Sequence, residues 1–166
     1  MTINEIRDAF SQYSLEQSYH DDTVFQESSR ILDEADLEIL LEELEDNGAY
    51  SREDHQVISD FCEFLKDGQN GYIHRELHAT CDALIDSFEQ LLAFLAANYY
   101  GPYDKQGGQY CLSIYPDSGS DLEIDELSPE DEQKWVQLDN QLKEITEAIR
   151  ANYEKHRRTV KKVLLL

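Results

Sequence analysis

The chain has 166 residues, 36 acidic against 14 basic, a net charge of -22, and 40% hydrophobic residues. The length suits one domain with a core of its own, and the apolar fraction is too high for a disordered chain. The charge repels phosphate, which excludes direct nucleic-acid binding through the acidic body.

Three prolines and seven glycines, among many Leu, Glu, Gln and Ala, favour helix throughout. Ile3, Ile6, Phe10 and Tyr13 keep helical spacing and predict a first helix over 3–18. A second is expected over 24–46, with Leu37, Leu40, Leu41 and Leu44 on one side and Asn47-Gly48 at its end. Ser51 and Asp54 have the spacing of a capping box. They open a third helix, with Val57, Ile58, Phe61, Phe64 and Leu65 inward, that closes at Asp67-Gly68. A longer helix is expected from about Tyr72 to Tyr100, its inward stripe running Leu77, Cys81, Leu84, Ile85, Phe88, Leu91, Leu92, Leu95, with Gly101-Pro102 as its stop.

Residues 101–128 break the pattern and read as an irregular insertion. Tyr110 to Tyr115 alternates as a short strand does, and Leu122 to Ile124 is its expected hairpin partner. Ser128-Pro129-Glu130-Asp131 places a capping serine, a first-turn proline and acids at the start of a final helix reaching about Lys162. Trp135, Leu138, Leu142, Ile145, Ile149, Tyr153, His156, Val160 and Val163 form a heptad-like seam along it. Such a seam can span the domain or pair with a second copy. The expected architecture is therefore an all-α bundle of about five helices over residues 1–166, with a long C-terminal helix and a possible β-hairpin at 101–128.

Cys62, Cys81 and Cys111 lack the even count and regular spacing of a disulfide framework. Met1-Thr2-Ile3-Asn4-Glu5 has neither the basic nor the apolar region of a secretory signal. The longest apolar run, Leu91 to Ala97, is too short for a membrane span. The expected location is the cytoplasm, without a membrane segment.

Charge is unevenly spread. Residues 1–70 hold 19 acids and 4 bases, residues 71–128 hold 10 and 2, and residues 129–166 hold 7 and 8. No basic residue separates Arg30 from Arg52, a stretch that includes Glu38, Glu42, Glu45 and Asp46. An acidic helix of this kind either presents a solvated face or attracts a basic protein. Tyr103 and Tyr110 belong to a tyrosine-rich stretch suited to protein recognition, or else to packing the insertion onto the helices. Arg150, Lys155, Arg157, Arg158, Lys161 and Lys162 make the last helix basic. They complement its dipole, fold back onto the acidic body, or reach an anionic partner.

Two constellations carry possible chemistry. His74, His78 and Cys81 lie at i, i+4 and i+7 on one helix, a set zinc accepts, with Cys111 as a fourth ligand for a metal-dependent hydrolase. The alternative is that the three simply border the apolar stripe. Arg150-Ala151-Asn152-Tyr153-Glu154-Lys155-His156 resembles the Arg-x(4–6)-His motif of HEPN-domain ribonucleases, an all-helical, often dimeric family. The resemblance implies that Arg150 stabilises phosphate charge and His156 transfers a proton across a dimer cleft. Six helical residues turn the chain by about 240°, so one unbroken helix holds these side chains apart.

The leading expectation is a non-enzymatic acidic binding protein that engages a basic protein partner through its acidic helices and tyrosine-rich loop. In composition it resembles immunity proteins, antitoxins and nucleic-acid-mimicking inhibitors. No cofactor is implied, and the terminal seam makes a homodimer an expectation.

Overall fold

Ser14 opens the first long helix by a reciprocal cap. Its hydroxyl accepts from the Gln17 amide (3.1 Å) and its own amide donates to the Gln17 side chain (3.1 Å). The computed structural model describes residues 2–5, 13–103, 108–113 and 128–165. Helix α1 spans Leu15–Ile31 without a break, so the expected boundary between residues 18 and 24 is replaced by one at Leu32-Asp33. The reason lies in its buried face, which consists of Asp21, Val24 and Ser28 and so lacks an apolar stripe. Ile6 and Phe10 fall outside the described residues.

Asp33 caps helix α2 (Glu34–Asn47) by accepting from the Asp36 amide at 2.8 Å. Leu37, Leu40, Leu41 and Leu44 all face the core, as their spacing predicts. The helix ends on Gly48 at φ 57°, a left-handed conformation that favours glycine. Strand β1 (Ala49–Tyr50) follows. Ser51 and Asp54 form the expected capping box of helix α3 (Arg52–Lys66), which buries Ile58, Phe61, Cys62 and Leu65. Helix α4 (Arg75–Asn98) buries the long stripe from Leu77 to Leu95.

The chain then enters a small antiparallel sheet. Strand β2 (Tyr99–Tyr103) and strand β3 (Gln109–Leu112) join β1 in the order β1-β3-β2. Ala49 pairs with Cys111 and Tyr50 with Tyr110, while Tyr99 pairs with Leu112. Tyr99 and Tyr100, assigned from the sequence to the end of the long helix, are thus strand residues. The expected strand near Tyr110 forms, but it pairs with residues 99–103 and 49–50. The proposed partner, Leu122 to Ile124, lies outside the described residues.

Helix α5 (Pro129–Leu164) has 36 residues, capped by Ser128 through the Asp131 amide (3.2 Å). At 1.5 Å per residue it is roughly 54 Å long. Its seam packs inside this chain, mainly against α4 and also against α2 and α1. Leu142, Ile149 and Val160 are fully buried there. Buried side chains from α1, α2, α3, α4 and α5 join one apolar cluster. Among the described residues no helix is long and apolar enough to cross a membrane.

One buried carboxylate ties α1 to the start of α4. Asp21, 0% exposed, accepts from the Ile73 amide (2.8 Å), the His74 amide (2.9 Å) and the Tyr13 hydroxyl (2.5 Å). Beside it, His20 Nε2 donates to the Gly71 carbonyl at 2.9 Å. Losing a buried acceptor strands its donors in an apolar surround. Asp21→Ala is expected to cost on the order of 3 kcal/mol in urea unfolding. Asp21→Asn keeps one acceptor oxygen and is expected to cost less.

Candidate functional site

Arg150 sits on the face of α5 that meets α2, and its guanidinium is fully engaged there. Nε donates to Glu38 Oε1 (2.9 Å) and Oε2 (3.1 Å). Nη1 and Nη2 donate to Glu45 Oε1 (2.6 Å) and Oε2 (3.3 Å). The Thr146 hydroxyl donates to the same Glu45 Oε1 at 2.5 Å. Burial opposes the charge on Glu45, but the bonds from Arg150 and Thr146 prevail and hold its carboxyl below the ordinary value. The bonds to Glu45 and then Glu38 push Arg150 further up its already high range. Arg150, Glu38 and Glu45, which the sequence suggests for two different roles, thus form one clasp between helices.

His156 lies about 1.7 turns further on and faces a different way, toward α4. It is 6% exposed. Nδ1 is 2.7 Å from the Thr80 hydroxyl and Nε2 is 3.2 Å from the Tyr72 hydroxyl. Thr80 also donates to the Leu77 carbonyl (3.2 Å), which leaves its oxygen to accept from Nδ1–H and Nε2 to accept from Tyr72. Burial pulls the imidazole down to about 4, so it is neutral at pH 7. Arg150 and His156 are not brought together within this chain.

The His74, His78 and Cys81 series also diverges. His74 caps α4, its Nδ1 accepting from the Glu76 amide at 3.3 Å, and its ring meets Tyr13 edge-on at 5.0 Å. His78 is exposed and lies 3.3 Å from Asp82. Cys81 is buried in the core, where desolvation pushes its thiol up to about 12. Cys111 lies on β3. Among the described residues no group of three His, Cys, Asp or Glu side chains could hold a metal ion. None of the three cysteines forms a disulfide.

The basic end of α5 folds onto the acidic body. Arg157 pairs with Glu34 of α2, and Lys162 with Glu76 of α4 at 2.9 Å. Arg158 pairs with Glu154 in its own helix. The α5-facing edge of α2 is therefore neutralised at Glu34, Glu38 and Glu45. Its other edge is not. Asp36, Glu42, Glu43 and Asp46 are exposed and make no ion pair among the described residues. Ile39, 55% exposed, stands among them.

Tyr110 is half-buried and stacks on Tyr50, with centroids 5.1 Å apart and planes 7° from parallel. Together with Arg52, His55 and Gln56 they line a shallow cavity where the sheet meets α3. The Tyr103 backbone belongs to β2, and its side chain lies outside the described residues.

Sequence reasoning missed Asp21, Tyr72 and Thr80. Asp21 and Thr80 fall on buried faces of their helices, and that polar interruption of an apolar stripe is the signal that could have found them. It also missed Ile39, whose position opposite the leucine stripe, amid acids, was legible.

Two outcomes check this arrangement. Arg150→Ala is expected to lose on the order of 2 kcal/mol, mostly through Glu45, because the half-exposed Glu38 arm is screened by solvent. Arg150→Lys keeps the charge without the planar fork and should recover only part of that loss. For His156 the folded value lies below the ordinary 6.5, so its contribution is present above about pH 6.5 and is lost as pH falls toward 4. That loss is on the order of 3 kcal/mol by pH 4. Thermal melts of the native chain and His156→Gln should converge across this window, with the variant showing the shallower decline.

No family model, no curated protein and no solved structure matches this chain.

Proposed function

We propose that this chain is a non-enzymatic binding protein that engages a basic protein partner through the outward acidic face of α2. The observation that carries the reading is the division of that helix. Eight carboxylates lie between Asp33 and Asp46 with no base among them. Arg150 and Arg157 answer the inner ones, while Asp36, Glu42, Glu43 and Asp46 are left pointing to solvent. Like charges at these spacings disfavour a helix, and a cationic partner would relieve that repulsion while gaining a steered encounter.

Among the described residues, Arg30, Lys143, Arg150 and Arg157 pair with carboxylates other than these four. The groups with catalytic potential are committed too: the Arg150 fork to two carboxylates, His156 to Thr80 and Tyr72, and Cys81 to the core. These commitments lend no support to a ribonuclease pair at Arg150 and His156, nor to a hydrolytic metal at His74, His78 and Cys81. Tyr110 belongs to a separate cavity and is not needed for the reading. A homodimer through α5 draws little support, since Val136 is the only exposed large apolar side chain on that helix. A cytoplasmic setting suits three thiols with no disulfide.

The test is capture from the native host lysate at low and high salt, with bound protein and nucleic acid identified. A basic protein held at low salt should be released at high salt. The triple variant Glu42→Gln, Glu43→Gln, Asp46→Asn should retain its circular dichroism and lose most of that capture, with a weaker salt dependence. Undiminished capture by the triple variant would overturn the reading, as would RNA recovered in place of a basic protein.

A further inference from the structure

The acidic face of α2 borders an apolar groove. Ile31 at the end of α1, Ile39 and Leu40 of α2 and Val57 of α3 supply its apolar surface, and Asp36 and Glu43 stand along it. A lone exposed isoleucine is ordinary on a protein surface. Ile39 differs because it shares the groove with Ile31, Leu40 and Val57, while Asp36, Glu42 and Glu43, about one turn away on α2, make no ion pair among the described residues. Asp36, Ile39, Glu43 and Asp46 are spaced three, four and three residues apart, so acid and apolar groups share one stripe.

We propose that this groove takes a basic amphipathic helix of the partner, which seats one or two apolar side chains against Ile39 and Val57 and directs lysines or arginines to Asp36 and Glu43. The proposal rests on the basic-partner reading above and names the shape of what is recognised. Charge complementarity selects the occupant: four outward carboxylates with no cation among them require a cationic ligand, while the apolar floor requires more than charge. Lysine and arginine meet both demands, because their aliphatic stems cover apolar surface while their heads reach carboxylates. A helix suits the site better than a strand. The groove runs between helices and offers no row of free backbone groups for a strand to pair with, whereas side chains spaced one turn apart match its own spacing.

Ile39→Glu separates groove from charge. It removes the apolar anchor and adds a carboxylate, so a purely electrostatic surface would bind a cation at least as well. The probe is a synthetic peptide of leucine and lysine patterned as an amphipathic helix. Its control has the same composition scrambled to abolish the apolar face. Binding is followed by backbone NMR and calorimetry at physiological ionic strength, where non-specific attraction is screened. The expected result is a clear preference for the amphipathic peptide, shifts centred on Ile39, Leu40 and Val57, and at least a tenfold loss of affinity in Ile39→Glu. Three results would overturn the groove: equal binding of the scrambled peptide, unchanged or tighter binding by Ile39→Glu, or shifts centred elsewhere. If Ile39→Glu binds normally while the Glu42, Glu43, Asp46 triple variant does not, the groove fails and the basic-partner reading stands. If neither variant weakens binding, both fail.

Discussion

A chain with 36 acids and 14 bases must fold against its own repulsion, and where it places its few cations governs much of the rest. Residues 129–166, most of them helix α5, supply 8 of the 14. Arg150 meets Glu38 and Glu45, Arg157 meets Glu34, and Lys162 meets Glu76, so carboxylates of α2 and α4 are answered where those helices approach α5. The apolar seam beneath, through Leu142, Ile149 and Val160, then closes against α4 and α2. Burial supplies most of the favourable free energy, and the cations remove a penalty that would otherwise act along the same interface.

The interior is held in register by polar groups as well as by packing. Asp21 collects two backbone amides and a phenol, and His156 joins Thr80 to Tyr72. Each is a polar group placed where an apolar side chain would have been easier to bury, and each is fully partnered. Such groups penalise misalignment, because a shifted helix leaves a donor or acceptor alone in the core. This network occupies the same histidine that the sequence presents as a possible proton carrier, and burial keeps that imidazole neutral.

Neutralising one edge of α2 is also what makes its other edge distinctive. The same helix that is tied to α5 by arginines offers solvent a run of uncompensated acids around Ile39. The fold thus turns a uniformly acidic segment into a sided one, with one edge paired to α5 and the other left to solvent. The proposed partner contact follows from that asymmetry and not from net charge alone.

Much of the helical framework was legible in the residues. The leucine stripe of α2, the stop at Gly48, the cap at Ser51, the stripe of α4 and the Ser128-Pro129 start of α5 are signals that act within one or two turns, so local chemistry suffices to read them. The extent of α1 was not, because Asp21 and Ser28 on its buried face erase the periodicity on which such reading depends. Nor was the pairing of β3, whose partners Ala49 and Tyr50 lie some sixty residues away. The same holds for the candidate site. The acidity of α2 is plain from the sequence, but which carboxylates remain outward depends on Arg150 reaching Glu45 across 105 residues. Thr80 and His156 are 76 residues apart, and nothing local to either specifies the other. Sequence determines which faces are apolar and where helices begin and end, since those follow from neighbours along the chain. Only the tertiary structure decides which charges are consumed, because that depends on which faces the packed core brings together.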